Sequence, residues 1–101
     1  MPNPMIGSLW LDGRCLLVSP VYIRRIAPED FSFRLIARDR VMNFVTHAMN
    51  VQKPLRLVID AETHGQVTVH GIAGSKDRWI VEMYAIDGGL ANGLLREDRA
   101  W

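Results

Sequence analysis

The stretch Leu55–Ala73, LRLVIDAETHGQVTVHGIA, decides what kind of sheet this chain builds. Two runs alternate apolar and polar residues, as half-buried strands do, and a turn must fall between them. A two-residue turn at His64-Gly65 would pair Glu62 with Val67 and Asp60 with Val69, mixing charged and apolar side chains on one face. A three-residue loop, Thr63-His64-Gly65, puts a left-handed glycine in its third position, as that geometry asks. It pairs Ala61 with Val67 and Ile59 with Val69 and keeps the faces apart. The second arrangement is the expected one, with Ile59, Val67 and Val69 toward a core and Asp60, Glu62 and His70 outward.

The same stretch gathers two carboxylates and two imidazoles. A metal site needs three or four ligands converging within about 2.0–2.3 Å of one point. In this register Asp60, Glu62 and His70 splay over an outer face and His64 sits at a loop tip, so a solvated polar surface is expected, with no metal and no cofactor.

Working outward, GSKDR leads into WIVEMYAI, the third strand of an antiparallel meander. The odd-numbered set Leu55, Leu57, Ile59, Ala61, Val67, Val69, Ala73, Trp79, Val81 and Met83 then forms the core face. The loop GIAGSK has the wrong spacing for a Walker loop and leads into a strand, so it lacks the helix N-terminus a phosphate site needs. Before Pro54, RDRVMNFVTHAMNVQKP changes period: Val41, Phe44, Val45, Ala48 and Met49 make one apolar helical stripe, with Asp39 placed to cap it. Arg40, Asn43, His47 and Asn50 fall on the wet side. Earlier still, SLWL and RCLLV flank Asp12-Gly13, a pair suited to a two-residue hairpin turn, which sets Cys15 beside Trp10. Pro20 interrupts, VYIRRI begins a new strand, and FSFRLIA alternates Phe31, Phe33 and Leu35 with polar residues. No internal repeat is readable.

The expected fold class is α+β: a curved antiparallel sheet, built from N-terminal hairpins and a C-terminal three-stranded meander, packed on one helix. Residues 1–87 form the domain. Residues 88–101, rich in glycine at first and ending in LLREDRAW, are expected as a tail in which Trp101 docks on its own domain or a partner.

Composition narrows the function classes. The chain has 101 residues, 49% hydrophobic, with net charge +1 and one cysteine, so it can bury a core without disulfides. No basic-then-apolar leader and no apolar run of membrane length are present, giving a cytoplasmic expectation with no membrane partner. Ten of the twelve basic residues are arginine. Five of them, against three acids, lie in Val21–Arg40, whereas Val81–Trp101 carries two arginines and four acids.

Catalytic chemistry finds no support. Cys15, the only thiol, is expected as a small buried hydrophobe, and Ser75 beside Lys76 and Asp77 makes no base-and-nucleophile geometry. The chain is therefore expected not to be an enzyme. Ile80, Tyr84 and Ile86 make the second face of their strand apolar, next to Val58 and Ile72, which points to a covering element or a partner. The leading expectation is a small non-catalytic protein-binding protein: an adaptor, an inhibitor of a larger complex or a homo-oligomer subunit, using Val58, Ile72, Ile80, Tyr84, Ile86 and Trp101. The alternative is a nucleic-acid module in which Tyr22, Arg24, Arg25 and Arg34 combine stacking with phosphate contacts.

Overall fold

The computed structural model describes residues 5–96, so the docking role assigned to Trp101 lies outside the described residues. Eight elements follow in order: β1 (Met5–Leu11), β2 (Arg14–Ala27), β3 (Asp30–Ala37), α1 (Asp39–Asn50), β4 (Leu55–Asp60), β5 (Thr63–Ser75), β6 (Arg78–Ala85) and α2 (Gly89–Leu94). The strands close into an antiparallel barrel ordered β1-β2-β3-β6-β5-β4. This corrects the expected open sheet packed on one helix. Closure comes from a short non-local ladder, Ser8↔Val58, Leu9↔Leu57 and Trp10↔Arg56, that no local alternation announces. It also comes from two long strands that change partners. Val21 of β2 pairs with both β1 and β3, and Val67 of β5 pairs with both β4 and β6. Strand stagger of this kind is what barrel closure requires. No helix among the described residues is long and apolar enough to cross a membrane.

The strand pairings repeat although the sequence shows no repeat. Adding 48 to both members of Gly7↔Ser19 gives Leu55↔Val67, which also pair, and Leu9↔Leu17 becomes Leu57↔Gly65. Val21↔Leu35 likewise becomes Val69↔Met83. The two ladders joining the halves map onto themselves: Ser8↔Val58 becomes Trp10↔Arg56, and Ser32↔Tyr84 becomes Ile36↔Ile80. An approximate twofold therefore relates β1-β2-β3-α1 to β4-β5-β6-α2. It passes through the Leu9–Leu57 pair at one side of the barrel and the Arg34–Glu82 pair at the other.

The barrel interior is filled by side chains. Leu9, Val21, Phe33, Leu35, Leu55, Leu57, Val67, Val81 and Met83 are all but inaccessible, and Val41, Met42, Val45 and Ala48 of α1 join the same core. The helical stripe is thus rotated from the expected one: Met42 is buried and Phe44 is 42% exposed. Val45 is its centre, and Met42 lies closer to that line than Phe44 does. Nor does Asp39 cap α1. Arg38 holds the cap position without a side-chain bond, and the Asp39 carboxylate turns instead to Trp79 and Asp77.

The Asp12-Gly13 turn forms as expected, with both residues at positive φ and Trp10 opposite Cys15, but Cys15 is exposed, not buried. Strand β2 runs through Pro20 without interruption. The β4–β5 hairpin differs from the expected one: it turns at Ala61-Glu62, with Asp60 opposite Thr63, while His64 and Gly65 belong to β5. Gly65 is a contact glycine. A Cβ there would strike the Asp87 carboxylate and the backbone of Leu90. Helix α2, Gly89–Leu94, falls in the segment read from sequence as a tail, and its Leu90 and Leu94 are fully buried.

Candidate functional site

The outer face of β2, β3, β6 and β5 carries Tyr22, Arg24, Arg34, Ile80 and Tyr84, half of the ten residues singled out for binding. Cross-strand pairing sets two neighbouring rows there. One runs Tyr22–Arg34–Glu82, and the next runs Arg24–Ser32–Tyr84–Thr68. Ser32, small and central, leaves a hollow of about 340 Å³ between these taller neighbours, walled by Tyr22, Arg24, Ile26, Arg34, Glu82 and Tyr84. Tyr22 is 49% exposed, Ile26 56% and Tyr84 39%.

A bulge in β5 braces the Glu82–Tyr84 wall from behind. Between Val69 and Gly71 the β5–β6 register shifts by one residue, which throws His70 outward. Its ring stacks on Tyr84 with centroids 4.3 Å apart, and its Nε2 lies 3.3 Å from the Glu82 carboxylate. Glu82 in turn accepts a 2.6 Å bond from Arg34. That guanidinium, more than any other neighbour, holds the Glu82 carboxyl below its ordinary range. The side chains are thereby fixed in one network, Arg34–Glu82–His70–Tyr84, across three strands and on the approximate twofold.

The structure separates the predicted partner residues. Tyr84 lies on the hollow, and Ile86, 50% exposed, lies just past the end of β6. Ile80 is on the same outer side, opposite Ile36 and Ala73. The bulge at His70 reverses the phase of β5, so Ile72 sits opposite buried Val81 and packs against the core. Val58 is remote, at the β1–β4 seam opposite Ser8 and His64. Among the arginines, Arg24 lines the hollow, Arg34 is bound to Glu82, and Arg25 donates to the Pro28 carbonyl and lies over the Phe31 ring.

The acid and histidine residues of the hairpin disperse. Asp60 accepts the Glu62 N–H, Glu62 pairs with Arg96, His64 meets Arg56, and His70 meets Glu82. No group of three or more His, Cys, Asp or Glu side chains converges among the described residues.

Sequence reading missed the hollow itself. Its signal was Ser32, a small residue in alternation with phenylalanines, but which tall side chains flank it depends on the β3–β6 pairing. Comparison with protein-family models, curated proteins and solved structures returns no match.

Proposed function

We propose that this is a small non-catalytic binding protein whose ligand is another protein, engaged through the outer hollow and the apolar residues around it. The observation that carries the reading is the exposure of Tyr22, Ile26, Tyr84 and Ile86 on one side of a barrel whose interior is already filled. Recognition has to use the outside. Tyrosines there supply large contact area at modest entropic cost. The Arg34–Glu82–His70 network adds fixed polar groups, which set orientation. An adaptor, an inhibitor of a larger complex and a homo-oligomer subunit all use such a face. The setting we propose is cytoplasmic, because the single cysteine is exposed and unpaired.

The test uses Tyr84→Ala and Ile26→Asp. Both variants should keep the circular dichroism and melting behaviour of the parent. Both should weaken self-association in the ultracentrifuge, or cross-linking to a partner, by at least tenfold. Nucleic acid is the competing ligand, since Tyr22, Arg24 and Tyr84 border the same hollow. Retention on single-stranded oligonucleotide that falls steeply with salt and disappears in Arg24→Ala would establish that reading instead.

A further inference from the structure

The approximate twofold places Val18 of β2 where β5 has Gln66, since Ser8↔Val18 shifted by 48 residues gives Arg56↔Gln66. The outer edge of Gln66 is filled by the chain itself. The Ile86 N–H donates to the Gln66 carbonyl at 3.0 Å, and the Gln66 N–H donates to the Asp87 carboxylate at 3.2 Å. Val18 occupies the equivalent position in its ladder, so its N–H and C=O turn away from β1 in the same way. Yet β3 pairs with β2 only from Val21 onward. Arg38 and Asp39, the counterparts of Ile86 and Asp87, lead away into α1. The Asp39 carboxylate is bonded to the Asp77 N–H and the Trp79 indole, not to Val18.

An open cleft of about 510 Å³ runs beside this edge. Leu17–Pro20 form one wall, and Arg38, Arg40, Lys76 and Arg78 stand on the other with a single carboxylate, Asp77. Asp77 is already engaged by Arg38 and the Asp39 N–H. Among the described residues Arg40, Lys76 and Arg78 form no ion pair, and all three are exposed. The cleft thus pairs an unfilled strand edge with an excess of positive charge.

We propose that this cleft binds an extended acidic peptide segment of a partner protein, an apolar residue followed by a carboxylate, in the manner of Ile86-Asp87 on Gln66. The partner's backbone N–H donates to the Val18 carbonyl, and its carboxylate accepts from the Val18 N–H. Further acids pair with Arg40, Lys76 and Arg78. The contact is short by construction. A bulge near Leu9 and Trp10 disturbs the ladder on one side of Val18, and Pro20 offers no N–H on the other, so strand addition stops after one residue. Charge complementarity carries the rest, and binding weakens with salt. The site shares no lining residue with the outer hollow and stands or falls separately from it.

The test titrates the full chain with a labelled peptide, Glu-Ala-Ile-Asp-Gly-Glu, and with a control in which lysine replaces the aspartate and both glutamates. Saturable binding of the acidic peptide, at least tenfold tighter than the control, is expected. The double variant Arg40→Gln/Arg78→Gln, at exposed positions that leave folding intact, should weaken it at least tenfold. Amide exchange at Val18 should slow on binding. Tyr84→Ala should leave peptide affinity unchanged, which separates this site from the hollow. Equal binding of the basic peptide overturns the proposal. So do an unaltered Val18 exchange rate, a loss of peptide binding in Tyr84→Ala, or a cleft that takes single-stranded oligonucleotide in preference to peptide.

Discussion

Met42 and Phe44 show how far a single side chain can be placed from spacing alone. Both fit an apolar stripe, but only Met42 is buried, at 8% exposure against 42%. Met42→Ala should therefore cost about 2 kcal/mol or more. Phe44→Ala should cost about 1 kcal/mol or less in chemical denaturation. A reversed order would mean that α1 packs on its other side. Asp39 is a second case, since its caplike position at a helix start hides a tertiary role. Its carboxyl is held below the ordinary value of 3.8 by the Trp79 indole N–H at 2.5 Å and then by the Asp77 N–H. A depressed folded value adds stability above the ordinary range, and that stability is lost as pH falls through the folded value. Glu82, lowered by Arg34, acts in the same direction. Melting of the parent should drop as pH falls from about 5 to about 3, and the gap between it and Asp39→Asn should shrink over that window. A gap that stays constant with pH would show that Asp39 stabilises by packing alone.

Among the elements, those fixed by neighbours in sequence were legible and those fixed by distant contacts were not. The Asp12-Gly13 hairpin could be read because both its turn residues need positive φ, and they have it. The β4–β5 hairpin could not. Gly65 looks like a turn glycine, but it serves the approach of α2, which only the folded chain reveals. Gly89 and Gly93, read as flexibility, are the other half of that contact. A Cβ on Gly89 would land on the His64 carbonyl, and one on Gly93 would land on Thr63. Helix and strand approach closely there, with the Thr63 hydroxyl against Gly93 and the Asp87 carboxylate against Gly65, and Leu90 and Leu94 are buried beside the contact. Gly93→Ala should accordingly destabilise by about 1–3 kcal/mol through overpacking, despite the better helix propensity of alanine. A stabilised Gly93→Ala protein would mean that α2 does not seat on β5. The outer hollow follows the same rule: Tyr84 was legible as an exposed aromatic, whereas Ser32 and His70 needed the β3–β6 pairing and the β5 bulge.

At the scale of the whole molecule, closure depends on contacts far apart in sequence, and its twofold rests on backbone register, with little residue identity behind it. Leu9 and Leu57 match across the halves, as do Val21 and Val69, and Asp39 and Asp87, but most aligned pairs differ. What the halves share is a ladder register and a partner switch, and a chain can keep those through extensive substitution of apolar residues. The Leu9–Leu57 pair tests this directly, because it lies on the axis in the three-residue ladder that joins β1 to β4. Both side chains are fully buried. Leu9→Ala and Leu57→Ala should therefore cost similar amounts, each within about 2–5 kcal/mol. Because the two residues face each other across the ladder, the double variant should depart from the sum by about 0.5–3 kcal/mol. Two unequal costs would show that the halves carry the core differently. Strict additivity would show that the β1–β4 ladder does not form, and the barrel would then be open at that seam.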